Sequence, residues 1–195
     1  MKTQTESHGN WLIDLIMKLR PDTEPLKPCD TLENMISGAS WKAFAVSTAA
    51  SIPPGPVGML TILPEVIAVT RIQLGLIGKI AKYYEKEKEL NGTVIALILG
   101  NAAGIATGRE LLKCVDNKII IQRMSTLALQ NFAARIGAKI LGRIVARMPA
   151  RWIPLVTAPL FGMMSKTATA RVGWEVVALF SQGFKFTDED ERYNA

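Results

Sequence analysis

One histidine, His8, and two cysteines, Cys29 and Cys114, are the chain's whole supply of imidazole and thiol groups. A single imidazole cannot build a zinc site of several histidines, and it leaves little for a Ser-His or Cys-His nucleophile. Gly75-Leu76-Ile77-Gly78-Lys79 lacks the spacing and the trailing Ser/Thr of a phosphate loop. There is no GxSxG, no HExxH and no paired CxxC. The carboxylates Asp188 to Glu191 are contiguous and read as solvated charge rather than an acid/base pair. The expectation is a protein without enzymatic activity, cofactor or metal.

The chemistry that remains is charge on a helix. Arg135, Lys139, Arg143 and Arg147 recur every four residues and occupy an arc of about 120° on a helix, beside an apolar arc of Ile140, Leu141, Ile144, Val145 and Met148. The segment from Arg109 to Arg151 holds nine Lys/Arg against two Asp/Glu, so the net charge of +6 resides there. Such a helix suits an anionic bilayer surface or an acidic partner protein. It equally suits a solvated face on a core helix. Aromatic residues for base stacking only flank the stripe, at Phe132 and Trp152, so nucleic acid is not expected.

Two apolar stretches carry turn chemistry at their centres: Ser51 to Met59, with Pro53, Pro54, Gly55 and Pro56, and Trp152 to Gly162, with Ile153, Pro154, Leu155, Pro159, Leu160 and Phe161. Loops are usually polar because they lie in water. A greasy loop needs a cover: its own core, a partner, or lipid. Pro53, Pro54, Pro56, Met59, Ile153, Leu155, Leu160 and Phe161 are therefore candidate membrane or partner contacts, together with Arg135, Lys139, Arg143, Arg147 and Arg151. The two stretches echo each other weakly: Ile-Pro, further proline, Gly-Met, then a helix containing Arg.

Gly100, Gly104 and Gly108 make a GxxxGxxxG pattern, which places three bare positions on one helix face. In a membrane this favours helix association; in water it allows a tightly crossed core pair. Gln73 falls on an otherwise apolar side of its helix, opposite Glu65, Arg71, Lys79, Lys82 and Lys86. A buried glutamine must be hydrogen-bonded.

The elements that must position these residues read as helices throughout. At 195 residues the chain can build one sizeable core. A hydrophobic fraction of 49% and a mean hydropathy of +0.20 are high for a water-soluble domain. Two cysteines far apart do not make a disulfide framework, so a reducing compartment is expected. No secretory signal is visible. Trp11 to Leu19 reads as a short amphipathic helix, followed by a Pro-rich linker. Asp30-Thr31-Leu32-Glu33 resembles a capping box opening a helix to about Ala50. Further helices are expected from Pro64 to Leu90, Val94 to Val115, Asp116 to Met148 with a break near Gln122, and Pro159 to Phe184, before an acidic tail from Thr187. The apolar run from Asn91 to Gly108 would span roughly 27 Å as a helix, borderline for a bilayer and comfortable for a core.

At these residues the chain resembles the EcsC family, bacterial helical proteins with GTPase-associated relatives. The matching positions are Pro54, Gly55, Gly58, Glu65, Gln73 and Tyr84, then Lys139, Ile153, Pro154, Leu155, Val156, Gly162, Thr167 and Thr169, across residues 38 to 182. Glu65 stands where Asp is usual. Glu85 stands after Tyr84 where Gly is usual, which leaves the end of that helix open as far as Leu90. The resemblance implies an all-α bundle of about six helices over residues 31–186, between a polar segment 1–30 and a flexible tail 187–195. It also implies an accessory protein, cytoplasmic and peripheral to the inner membrane, with a transporter or GTPase as partner. The alternative is a soluble interaction module with its apolar loops packed internally or on a partner. Oligomeric state is not readable from the sequence.

Overall fold

The computed structural model describes residues 26, 30–53, 60–104, 112–115, 118–122, 125–147 and 154–187. The fold is helical, with five α-helices among these residues: α1 (Leu32–Ala50), α2 (Ile62–Tyr83), α3 (Gly92–Ala102), α4 (Thr126–Arg147) and α5 (Pro154–Gln182). A 3-10 turn at Glu87–Glu89 links α2 to α3. The sequence reading expected no strands. The structure adds a small sheet of β1 (Leu112–Val115), β2 (Lys118–Gln122) and β3 (Phe184–Thr187), ordered β1-β2-β3.

The helix ends follow their caps. Thr31, rather than Asp30, is the N-cap of α1, and its hydroxyl accepts from the Asn34 N–H at 3.3 Å. At α3 the Asn91 side chain accepts from the Val94 N–H at 3.0 Å. Helix α2 stops at Tyr83 instead of running to Leu90. The Lys86 N–H returns to the Ala81 carbonyl and the Glu85 N–H to that of Lys82, which is a Schellman closure. Glu85 takes the left-handed position of that closure, with φ 57°.

The helices expected over Val94–Val115 and Asp116–Met148 are each shorter. Gly104, at φ 69°, ends α3 after eleven residues. The run Ile119-Ile120-Ile121 is β-branched and enters a strand, the conformation such side chains favour. Ile119 and Ile121 face the core while β2 pairs antiparallel with β1 and parallel with β3. The second apolar stretch is not a loop from Pro154 onward. Pro154 opens α5, where its missing N–H costs nothing, and Pro159 sits inside the helix.

The core gathers Ile36, Leu74, Ile77 and Ile80 with Leu97, Ile121, Phe132, Ile136, Val176 and Phe180. Every residue from Thr93 to Gly100 is buried, so α3 is the central helix and not a membrane span. Helix α5 makes its largest interface with α1 and also touches α2 and α3. The expected N-terminal helix Trp11–Leu19 and the tail beyond Thr187 lie outside the described residues.

Candidate functional site

The site follows from the directions in which the helices run. Gly173 of α5 faces Ile36 of α1, where an added Cβ would lie 2.7 Å from the Ile36 side chain; Gly162 faces Phe44 and Thr48. The hydroxyls of Ser47 and Ser165 are hydrogen-bonded between them. Helices α1 and α5 are therefore antiparallel and closely packed along small residues. Gln73 Nε2 donates to Thr169 Oγ1 at 3.3 Å, and Tyr84 stacks near Phe180 at 6.3 Å, so α2 runs with α5. The end of α1, the start of α2 and the start of α5 thus meet at one end of the molecule. The Thr61 hydroxyl fastens that end by donating to the Ala50 carbonyl at 2.7 Å.

Large apolar side chains stand in solvent there. Leu60 is 78% exposed, Ile52 61% and Leu160 57%, and Leu63, Met163 and Met164 are each about half exposed. The two halves come from different parts of the sequence: Ile52, Leu60 and Leu63 border the first apolar stretch, and Leu160, Met163 and Met164 lie on the opening turns of α5.

The basic helix is directed to the same end. Asn101 of α3 bonds Glu175, and Leu97, Ile98 and Leu179 close a small cavity beside that pair, so α3 runs against α5. Gly100 of α3 receives the Phe132 ring and Ile136 of α4, and the Lys139 ammonium donates to the Gly104 carbonyl at 2.6 Å. Helix α4 accordingly runs with α3, toward the end where α5 begins. Between Arg147 and Pro154 the chain has only residues 148–153 to reach it.

Several sequence candidates are placed differently from expectation. Phe161 is buried, as is its neighbour Gly162, so this part of the second stretch is covered by the protein's own helices. Leu160 is exposed and Pro53 half-buried. Arg135 is exposed, while Lys139 is half-buried and engaged with the end of α3. Leu155, Arg143 and Arg147 lie on helices. Pro54, Pro56, Met59, Ile153, Arg151 and Gly108 lie outside the described residues.

Of the three glycines, the two that are described have different roles. Gly100 lets α4 approach, whereas Gly104 terminates α3 in left-handed backbone. Glu65, expected on the charged side of α2, is buried. Gln73 is half-buried, and its side-chain amide donates to the Thr169 hydroxyl.

Sequence reasoning missed the serine and threonine character of the α1–α5 contact. Ser40, Ser47, Ser51 and Thr169 are all buried. Ser40, Ser47 and Ser51 are seven and four residues apart, and that spacing was the available signal, since both intervals return to one helix face. Ser51 Oγ donates to the Ser47 carbonyl at 2.7 Å, while Ser40 Oγ finds no partner among the described residues.

Among the described residues no helix is long and apolar enough to cross a membrane, and no group of three His, Cys, Asp or Glu side chains could hold a metal ion. No family model matches the chain, and no curated protein or solved structure matches it.

Proposed function

We propose that this protein is a non-enzymatic helical accessory protein that docks peripherally on an anionic membrane through the end where α1 closes and α2 and α5 open. The observation that carries this is the exposure of Ile52, Leu60, Leu63, Leu160, Met163 and Met164 at the end toward which the basic helix α4 runs. Apolar side chains enter the acyl boundary and cations beside them meet lipid phosphates; interfacial binding uses both terms. Insertion is shallow, because irregular backbone at membrane depth needs a protein cover. The EcsC resemblance, with Gln73, Gly162 and Thr169 at its positions, agrees with an accessory role beside a transporter or GTPase at the inner membrane.

The second reading is a soluble interaction module. The observation favouring it is the burial of Phe161 and Gly162, which covers part of one apolar stretch from within.

Flotation with vesicles separates the two. The protein is expected to float with phosphatidylglycerol vesicles at low salt and to remain below with phosphatidylcholine alone. Replacing Arg143 and Arg147 together by Gln keeps helix propensity, removes two charges and leaves Lys139 on the Gly104 carbonyl. At about 1 kcal/mol per basic residue near an anionic surface, partitioning falls roughly thirtyfold. Binding unchanged in that variant would refute the lipid role of α4. Absence of flotation in the parent would favour the soluble module.

A further inference from the structure

The three helices that meet at the apolar end have a charge pattern in common. Counted from that end, the first charged side chain outside the core is Lys42 on α1, Arg71 on α2 and Lys166 on α5. Between these cations and the apolar end the three helices carry one carboxylate, Glu65, and it is buried. The chain from Ala43 to Pro64 has no charge at all. Lys42 and Arg71 are exposed, and Lys166 is half-buried.

The three positions share one level of the molecule. The Lys166 ammonium lies 3.5 Å from the centre of the Trp41 ring, which joins that level of α5 to Trp41 and Lys42 of α1. Helix α2 runs with α5, and Gln73 bonds Thr169. Arg71, two residues before Gln73, therefore stands level with Thr167, beside Lys166. Lys166 follows Leu160 along α5 by a rise of about 9 Å. Interfacial helices bury their apolar face by roughly 5–10 Å into the boundary of headgroups and acyl chains. With the apolar end at that boundary, the cations stand at the height of the lipid phosphates. Trp41 is 52% exposed and packs edge-on against Phe44. A tryptophan with an apolar ring and a polar N–H favours the same level.

We propose that Lys42, Arg71 and Lys166, with Trp41, form a collar that binds the phosphates of anionic lipids and sets the depth to which the apolar end enters. This rests on the membrane reading above and extends the contact from the end of the molecule to the sides of α1, α2 and α5. The cations do not converge on one ligand. Each belongs to a different helix and meets its own lipid. Trp41 holds the Lys166 ammonium over its face, and an ammonium held in this way keeps N–H groups for a phosphate oxygen. The occupant must be apolar at the tip and anionic at one fixed height around it. An anionic bilayer has both layers in that order.

The test compares single changes in the full chain, using vesicles of phosphatidylcholine and phosphatidylglycerol in equal parts. Arg71→Gln removes a collar charge. Lys82→Gln removes the same charge about 16 Å farther along α2, beyond the screening length at physiological salt. Arg71→Gln is expected to lower vesicle binding about fivefold. Lys82→Gln should lower it by no more than about twofold. Lys42→Gln should match Arg71→Gln, and melting temperatures check that each variant folds. Depth is read from Trp41 as the sole tryptophan, after Trp11→Phe, Trp152→Phe and Trp174→Phe. Its emission should be quenched more by lipids brominated near the headgroup than by lipids brominated near the chain end. Equal losses in Arg71→Gln and Lys82→Gln overturn the collar and leave the membrane reading standing. So does a Trp41 that neither lipid quenches, or that the deeper bromines quench more. A parent chain that binds no vesicles removes the membrane reading, and the collar with it.

Discussion

Glu85 is the residue whose backbone states most clearly what the chain gives up. It holds φ 57° at the closure of α2, the place where the resemblance expects glycine. A side chain in left-handed backbone costs roughly 1–2 kcal/mol. The helix ends there because two backbone bonds close it, not because the residue prefers it. The closure is local, made by the Glu85 and Lys86 N–H groups on the Lys82 and Ala81 carbonyls, so α2 ends at Tyr83 without a glycine. Glu85→Gly is expected to stabilise the protein by about 1 kcal/mol, raising the melting temperature by roughly 2–4 °C. A melting temperature that stays level or falls would contradict the strain assigned here. At the same scale, Gln73 was legible as a polar residue on an apolar side, but its partner was not. Thr169 lies 96 residues away, and only tertiary packing brings the two together.

At the scale of elements, α1 makes two contacts of opposite character. Against α5 its small residues admit a close approach, and Gly162 and Gly173 are filled by Phe44, Thr48 and Ile36. Against α2 the same helix leaves Gly38 open. The same substitution should therefore have opposite signs at the two places. Gly162→Ala forces a methyl group against Phe44 and is expected to cost about 1–3 kcal/mol. Gly38→Ala should stabilise by roughly 0.5–1 kcal/mol through helix propensity. Urea unfolding of both variants measures this; equal signs would show that the α1–α5 contact is less tight than described.

Elements were readable where capping and helical periodicity agree. Thr31, Asn91 and the apolar pattern of α2 announce their helices locally. Ile119-Ile120-Ile121 was not readable, because a short apolar run fits a helix or a strand equally. Its pairing with Phe184–Thr187 is a long-range contact that no local pattern contains. Likewise, prolines at 154 and 159 suggest a break, yet the first opens α5 and the second is tolerated within it.

For the whole molecule, helix direction turns a list of apolar and basic residues into an end. Ile52 and Leu160 are over a hundred residues apart in the chain, and the antiparallel α1–α5 pair places them at the same pole. The sequence marked both stretches as greasy. It could not tell which side chains stay outside, because Phe161 turns inward while Leu160 remains exposed. The level shared by Lys42, Arg71 and Lys166 was equally hidden, since it comes from three helices whose pairing is a tertiary fact. The central claim is that this pole meets an anionic surface. Amide hydrogen exchange with and without phosphatidylglycerol vesicles tests it most directly. Slowed exchange confined to peptides covering residues 50–63 and 139–164 is the predicted result. Unchanged exchange in those peptides, or protection confined to residues 34–42 and 72–79, would contradict it.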